Sequence, residues 1–231
     1  YVEQYRMPYK GIMVENTSRC NLECLSCPRD SILKTRGQKS MSIEDLKKIS
    51  SILCELKIES LAYFNLGEPF FSKNIKEELT AIRSLNPTIK IYLSTNGVLL
   101  DSKEKLDAAL LLDDIIISVD GATQKAANKY QKNTDFERAY QNMTNLVALR
   151  NERGLSKPQI EWKYVLFNWN DSPKMINKAI DLANKAGVDL ISFWPTLSPP
   201  YGISWRYKLG KFKNVGTSSW KGREVWLKNN V

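Results

Sequence analysis

The chain has 231 residues, of which 42% are apolar, a formal net charge of +9 and no histidine. This length suits one sizeable α/β domain with at most a small appendage. The sequence shows neither an apolar run that could span a bilayer nor a secretory leader, so we expect a cytoplasmic protein. The absence of histidine excludes a Cys–His catalytic pair, and the positive charge favours an anionic partner, although most lysines are scattered over helix-like segments and are expected to be solvated.

Six apolar, strand-like runs alternate along the chain with five amphipathic, helix-like segments. The helix-like segments cover residues 42–57, 74–85, 103–112, 135–153 and 173–187. N-caps are predicted at Ser42 for the first helix, at Thr134 for the fourth, and at Asp171 or Ser172 for the fifth. Alternation of this kind predicts a parallel sheet with helices packed outside it.

Six β/α units are too few for a closed eight-stranded barrel, so we expect an α/β fold with a partial (β/α)6 TIM-like barrel. We assign residues 1–197 to this barrel and residues 198–231, which are rich in Pro, Gly, Trp and Lys, to a C-terminal extension. Basic and aromatic residues interleave in the extension, a pattern that suits nucleic acid, a phosphorylated substrate or packing against another domain. We favour the last two readings.

Polar residues follow several of the strand-like runs, at the point where each run ends. They are Glu68, Ser94, Asn96, Ser118 and Asp120, and Gly67 directly precedes the first of them. Because the carboxyl ends of parallel strands meet at one edge of a sheet, we expect these residues to share a site there.

Three of the four cysteines, Cys20, Cys24 and Cys27, are spaced C-x3-C-x2-C after the first strand-like run. A structural zinc site usually has four ligands, and no histidine is available to complete one. The remaining Cys54 lies near the edge of the apolar stripe of the first helix, where a buried, inert thiol is expected. Thiolates are the usual ligands of a [4Fe–4S] cluster, and three of them leave one iron free to bind another molecule.

With this cysteine spacing, the chain resembles the radical S-adenosylmethionine (SAM) superfamily from about Val14 to Thr196. The segment LGEP at Leu66–Pro69 is similar to the family's Gly-Gly-Glu-Pro motif. The segments STNG (94–97) and SVDGAT (118–123) resemble the branch that often carries a cysteine-rich C-terminal SPASM domain. The residues after Thr196 contain no cysteine, so we do not expect a SPASM domain in this chain.

The resemblance implies an enzyme with two cofactors, a [4Fe–4S] cluster and SAM. Cys20, Cys24 and Cys27 would bind three irons, and the fourth iron would chelate the amino and carboxylate groups of SAM. Reductive cleavage of SAM would then give methionine and a 5′-deoxyadenosyl radical, which abstracts hydrogen from a substrate. An electron donor such as flavodoxin or ferredoxin is implied as a partner.

The resemblance also implies a set of SAM-binding residues. Glu68 would bind the amino group, while Ser118 and Asp120 would contact the ribose. Lys129 lies where relatives often have an arginine for the methionine carboxylate, and a solvated helix surface is the alternative for it. Relatives often have an aromatic or apolar residue against the adenine just before the third cysteine, where this chain has Ser26. Phe193 and Trp194 are therefore the candidates for the adenine contact, with core packing as the alternative. The whole set is Gly67, Glu68, Ser94, Asn96, Ser118, Asp120, Lys129 and Trp194.

We expect the substrate to be a small anionic metabolite, such as a sugar or nucleotide derivative, because the chain is basic. Lys163, between Trp162 and Tyr164 in the fifth strand, would bind substrate or cofactor if it faces inward, and is an ordinary surface lysine if it faces outward. Radical modification of a peptide or protein side chain is the alternative within the class. A non-catalytic Fe–S or zinc module that binds nucleic acid is the alternative of another class. Neither a membrane nor a nucleic acid is the expected partner.

Overall fold

The computed structural model describes residues 10–212 and the strand at residues 224–227. The strands are β1 (Gly11–Met13), β2 (Glu23–Cys24), β3 (Ser60–Ala62), β4 (Lys90–Thr95), β5 (Asp114–Ser118), β6 (Gln131–Lys132), β7 (Gln159–Leu166), β8 (Leu190–Pro195) and β9 (Glu224–Leu227). The helices are α1 (Arg29–Arg36), α2 (Ile43–Glu55), α3 (Ile75–Leu85), α4 (Lys103–Ala109), α5 (Gln124–Tyr130), α6 (Phe136–Glu152), α7 (Pro173–Ala186) and α8 (Trp205–Lys208). Short 3-10 turns cover Pro69–Phe71 and Pro200–Gly202.

The main sheet has the strand order β1-β3-β4-β5-β7-β8-β9. Its first six strands are parallel, and β9 pairs with β8 in the antiparallel direction. In the described part of the chain, β1 lies at the free edge opposite β9, so the barrel is open. The prediction of an α/β fold with a partial (β/α)6 barrel is confirmed.

The two faces of the sheet differ in what they contact. Ile91 and Leu93 of β4, and Ile115 and Ile117 of β5, are fully buried in the apolar core between sheet and helices. Successive side chains of a strand point to opposite faces. The intervening residues therefore line the other, inner surface of the partial barrel, which we call the concave face.

Serine caps begin two of the predicted helices where expected. Ser42 accepts the backbone N–H of Asp45 at 3.1 Å, and Ser172 caps α7. The cap predicted at Thr134 is wrong, because α6 begins after Asp135, whose carboxylate accepts the N–H of Arg138 at 3.0 Å.

Three elements near the cysteines were not predicted. Helix α1 follows the third cysteine directly, α5 follows β5, and β2 and β6 form a separate antiparallel ribbon. The ribbon pairs Cys24 with Gln131 and so ties the cysteine loop to the segment after α5.

The described part of the predicted C-terminal extension returns to the barrel beside β7. Phe167 and Ile203 form an isolated antiparallel bridge, and Asn168 donates its N–H to the carbonyl of Gly202 at 2.9 Å. Residues 213–223 and 228–231, which carry part of the interleaved basic and aromatic residues, lie outside the described residues. Among the described residues, no helix has an apolar stretch that could cross a bilayer.

Candidate cofactor site

The three clustered cysteines lie between β1 and α1, and each is partly buried. Two contacts anchor this loop from the side of α5: the pairing of Cys24 with Gln131, and a hydrogen bond from the N–H of Leu25 to the carbonyl of Tyr130 at 3.1 Å. The loop is therefore held at the carboxyl edge of the sheet, where β1 ends.

Three thiols in one loop are the donor set that an iron–sulfur cluster uses. Burial raises the pKa of the Cys24 thiol, and Asp120, Cys20 and Cys27 raise it further, which places the three sulfurs within electrostatic reach of one another. No three His, Cys, Asp or Glu side chains in residues 10–212 converge closely enough to hold one metal ion. A cubane binds its thiolates at separate corners and so requires wider spacing than a lone tetrahedral ion.

The fourth cysteine lies apart from this loop. Cys54 is on α2 and is exposed to solvent, so the prediction that it is buried is wrong. Cys54 lies near the edge of the apolar stripe of α2, and its side chain faces the solvent rather than the core.

Glu68 joins the loops that follow β1, β3 and β4. Its carboxylate is buried, with the residue only 2% exposed, and accepts the hydroxyl of Thr95 at 2.7 Å and the N–H groups of Asn96 at 2.8 Å and Phe70 at 3.1 Å. Its own N–H donates to the carbonyl of Arg19, beside the first cysteine, at 2.8 Å. Burial raises the pKa of Glu68, and the hydrogen bonds from Asn96, Thr95 and Phe70 oppose that rise.

Gly67 is required by the close approach of two backbones. A Cβ at Gly67 would lie 1.8 Å from the carbonyl oxygen of Thr17, so only glycine fits. The carboxylate of Glu15 accepts the N–H groups of Leu66 at 2.8 Å and Gly67 at 3.1 Å, and its other oxygen pairs with Arg36 of α1 at 2.5 Å. Glu15 was not predicted, since its partners in the LGEP segment lie 51 and 52 residues away along the chain.

Asn96 connects the loop after β4 to the first cysteine. Its Oδ1 accepts the N–H of Val98 at 3.0 Å, which fixes the orientation of the amide. Its Nδ2 donates to Asn21 Oδ1 at 2.9 Å and lies 3.9 Å from the Sγ of Cys20. The N–H of Leu22 also points at this sulfur, at 3.4 Å.

The polar residues at the ends of β4 and β5 meet on the concave face. The hydroxyl oxygens of Ser94 and Ser118 are 3.5 Å apart. Asp120 follows in the next loop and accepts the N–H of Val165 at 2.8 Å. Burial raises the pKa of Asp120 to about 6, against the opposing effects of the Val165 hydrogen bond and the nearby Lys163 ammonium.

The last two predicted residues lie away from the cysteine loop's immediate contacts. Lys129 is exposed on α5, and its ammonium lies 4.6 Å from the centroid of the Trp169 ring. Trp194 on β8 donates its indole N–H to the Ser192 hydroxyl at 2.8 Å, and Lys163 lies 4.8 Å from its ring centroid. The structure thus joins the cysteine loop to Glu68 through Arg19 and to Asn96 through Cys20 and Asn21. It places Trp194 on β8, at the other side of the concave face.

Three surface cavities, of about 410, 590 and 580 Å³, do not contain these convergent groups. The first touches the site through Glu15, Thr17 and Arg36, the second lies between α4 and α6, and the third lies beside Cys54. A barrel open along one side forms a trough rather than a closed pocket, so the convergence of the loops is the better guide to the site.

Comparison with known proteins identifies the family. The model of the Radical SAM superfamily matches residues 14–157, which is more than half of the chain. The chain belongs to the radical SAM superfamily. It is therefore an enzyme of radical chemistry, with a [4Fe–4S] cluster and SAM as cofactors, and the predictions of class and cofactors are confirmed.

Several curated relatives are cyclases. The chain is 35% identical over 119 residues to a GTP 3′,8-cyclase of Peptoclostridium acidaminophilum, covering 50% of this chain and 35% of that protein. It is 32% identical over 99 residues to a probable GTP 3′,8-cyclase of Methanothermobacter marburgensis, covering 43% and 31%. The chain thus spans less than half the length of the curated relatives it matches.

Solved structures show the same fold at low identity. The radical SAM methyltransferase TsrM from Kitasatospora setae, with cobalamin and a [4Fe–4S] cluster bound, matches with a TM-score of 0.61 at 13% identity, covering 78% of this chain and 36% of that one. The protein anSMEcpe with bound AdoMet and the Cp18Cys peptide matches with a TM-score of 0.58 at 18% identity, covering 87% and 56%. These likenesses concern the fold alone.

Proposed function

We propose that Cys20, Cys24 and Cys27 bind three irons of the [4Fe–4S] cluster and leave the fourth iron to SAM. The observation that carries this proposal is the attachment of the cysteine loop to Glu68 and Asn96, which brings a three-thiol loop and two SAM-site segments into one hydrogen-bonded unit. Bound by these three cysteines and reduced, such a cluster would supply the electron for the reductive cleavage of SAM.

The LGEP segment offers backbone acceptors to the SAM amino group. The carboxylate of Glu15 accepts the N–H groups of Leu66 and Gly67, so both N–H groups point toward Glu15. In a trans peptide the carbonyl points opposite to the N–H, so the carbonyls of Asn65 and Leu66 point away from Glu15. An ammonium group donates up to three hydrogen bonds and suits such acceptors. Since the carboxylate of Glu68 already accepts three donors, its main role in this proposal is to hold the loop in place.

The concave face supports the rest of the cofactor. Ser118 and Asp120 lie at the end of β5, next to Ser94, where hydroxyl and carboxylate groups suit the ribose hydroxyls. Lys129 and Trp194 keep their proposed contacts with the methionine carboxylate and the adenine as the outermost members of the site. Both side chains now have protein partners, so these contacts require them to exchange a partner for SAM.

The proposed substrate is a small anionic metabolite, a sugar or nucleotide derivative. Two observations support it: the net charge of +9 and the likeness of the core to proteins named GTP 3′,8-cyclases. Modification of a peptide side chain is the second candidate, and only the fold shared with the peptide-bound anSMEcpe structure favours it. Residues 198–231 are proposed to form a C-terminal extension to the barrel of residues 1–197. Flavodoxin or ferredoxin in the cytoplasm is proposed to donate the electron.

The test is reductive cleavage of SAM by the reconstituted enzyme. Anaerobically reconstituted protein, reduced with dithionite and given SAM, is expected to release 5′-deoxyadenosine. Deuterated candidates, GTP and sugar phosphates among them, are then expected to pass deuterium to 5′-deoxyadenosine when the right substrate is present. The Cys24→Ala variant is expected to lose the brown cluster absorbance and the cleavage, whereas Cys54→Ala, with an exposed thiol on α2, keeps both. A wild-type protein that stays colourless and cleaves no SAM would refute the proposal.

A further inference from the structure

Lys163 projects from β7 onto the concave face. Its neighbours Trp162 and Tyr164 are fully buried on the opposite side, where the Trp162 ring lies 6.3 Å from that of Tyr140 on α6. Since alternate side chains of a strand point to opposite faces, Lys163 points away from the helices. Its ammonium lies over the ring of Trp194, which belongs to the neighbouring strand.

Hydroxyl groups lie on both sides of Lys163. The strand register pairs it with Ser118 of β5 and with Ser192 of β8. Ser94 of β4 continues the line, with its hydroxyl 3.5 Å from that of Ser118. These four residues, Ser94, Ser118, Lys163 and Ser192, form what we call the polar row, which crosses four adjacent strands with one cation and three hydroxyls.

Among residues 10–212, the salt bridges do not include Lys163. Asp120 lies within electrostatic reach of Lys163, whose ammonium opposes the rise of the Asp120 pKa, but the two do not form a salt bridge, and the Asp120 carboxylate accepts the N–H of Val165. The carboxylate of Glu161 accepts the Ser192 hydroxyl among its contacts. A partly buried ammonium is costly unless a partner compensates it. A charged group that enters the trough therefore finds a cation available for pairing.

We propose that the ammonium of Lys163, in the β7 part of the polar row, binds a phosphate or carboxylate group of the substrate, while Ser94 and Ser118 stay with the ribose of SAM and Ser192 keeps its bonds to Glu161 and Trp194. This inference rests on the proposed function and deepens it, because it requires the substrate to present its anionic group to the β5–β8 side of the trough. The methionine carboxylate of SAM has the same chemistry, so the test must separate the two sources of the anion.

Binding to the holoenzyme separates them. Inorganic pyrophosphate and GTP are titrated calorimetrically into cluster-loaded enzyme saturated with SAM, and SAM is titrated on its own. We expect the wild type to bind at least one of the two probes. The Lys163→Met variant should bind it about tenfold more weakly or worse, because a charge-assisted hydrogen bond is lost. Lys163→Arg keeps the charge and should retain most of the affinity.

Lys208→Met is the matched control, since Lys208 is exposed on α8 and lies 5.0 Å over the ring of Trp205. It should bind the probes as the wild type does. The inference is overturned if the wild type binds neither probe, if Lys163→Met binds them normally, or if this variant loses affinity for SAM alone. All three results leave the proposed function standing as long as the wild type releases 5′-deoxyadenosine. A wild type that releases none refutes the proposed function, and this inference with it.

Discussion

The carboxylate of Glu68 accepts the backbone N–H of Asn96 at 2.8 Å, across 28 residues of sequence. The bond joins the end of the LGEP segment to the STNG segment after β4. Because the N–H of Glu68 donates in turn to Arg19, the same residue also fixes the start of the cysteine loop. Hydrogen bonds of one residue therefore link three separate loops into one unit.

Replacing Glu68 with glutamine should loosen this unit. Glutamine has one acceptor oxygen where Glu68 uses both, so a buried donor is left unsatisfied, at a cost of about 1–3 kcal/mol in the free energy of unfolding. We expect weaker SAM binding in addition, measured by calorimetry beside urea denaturation. Glu77→Gln on the exposed face of α3 is the control and should change neither. An unchanged free energy of unfolding in Glu68→Gln would show that the hydrogen bonds of this carboxylate do not stabilise the connection between the loops.

Gly67→Ala should have a larger effect on the site than on the rest of the fold. Its Cβ would lie 1.8 Å from the carbonyl oxygen of Thr17, and neither backbone can give way without moving the cysteine loop. Overpacking of this kind costs about 1–3 kcal/mol or more. We expect the variant to incorporate less iron on reconstitution, measured as iron per protein. Full iron content with unchanged unfolding would contradict the contact.

The polar ends of the parallel strands were predictable, and their connections were not. Ser94, Ser118 and Asp120 follow apolar runs. Because parallel strands end at the same edge of the sheet, these residues are expected to lie close together whatever the conformation of the loops. Glu15 gives no such signal, since an acid after a strand is ordinary and its partners are distant in sequence. Contacts between loops depend on tertiary packing, which local patterns do not encode.

The missed helices and caps have local causes. The segment of α1, RDSILKTR, has only Ile32 and Leu33 as apolar residues, too few for a helical stripe. At the start of α6, Thr134 and Asp135 are adjacent residues that both suit an N-cap. The structure uses Asp135, and the local sequence does not distinguish between the two. Such choices between adjacent residues are among the least predictable features of a sequence.

Asn96→Ala should lower the reduction potential of the cluster. The Nδ2 of Asn96 lies 3.9 Å from the sulfur of Cys20, and N–H donors near a ligating sulfur stabilise the more negative, reduced state. We expect the midpoint potential in a spectroelectrochemical titration to shift to a more negative value. Asn145→Ala, on the exposed side of α6, is the control. An unshifted potential would limit Asn96 to holding Asn21 and the loop.

Asp113 should make the stability of the barrel depend on pH. Burial disfavours its charged form, but hydrogen bonds from Lys157, the N–H of Ile91 and Arg83 outweigh that effect and lower its pKa to about 2. A carboxyl group with a lowered folded-state pKa contributes stability above its unfolded pKa of about 3.9 and loses it as the pH falls toward the folded value.

Asp113→Asn should therefore reduce the free energy of unfolding by roughly 2 kcal/mol at pH 7, and the deficit relative to wild type should shrink between about pH 4 and pH 2. Urea denaturation of both proteins across this range measures the difference, with Asp181→Asn on the exposed face of α7 as the control. The pairing of Asp113 with Arg83 at 2.5 Å links α3 to the start of β5, so the loss is expected to appear as global unfolding rather than as a local change at the cofactor site. A deficit that stays constant as the pH falls would mean that the charge of Asp113 contributes nothing, and that only its shape matters.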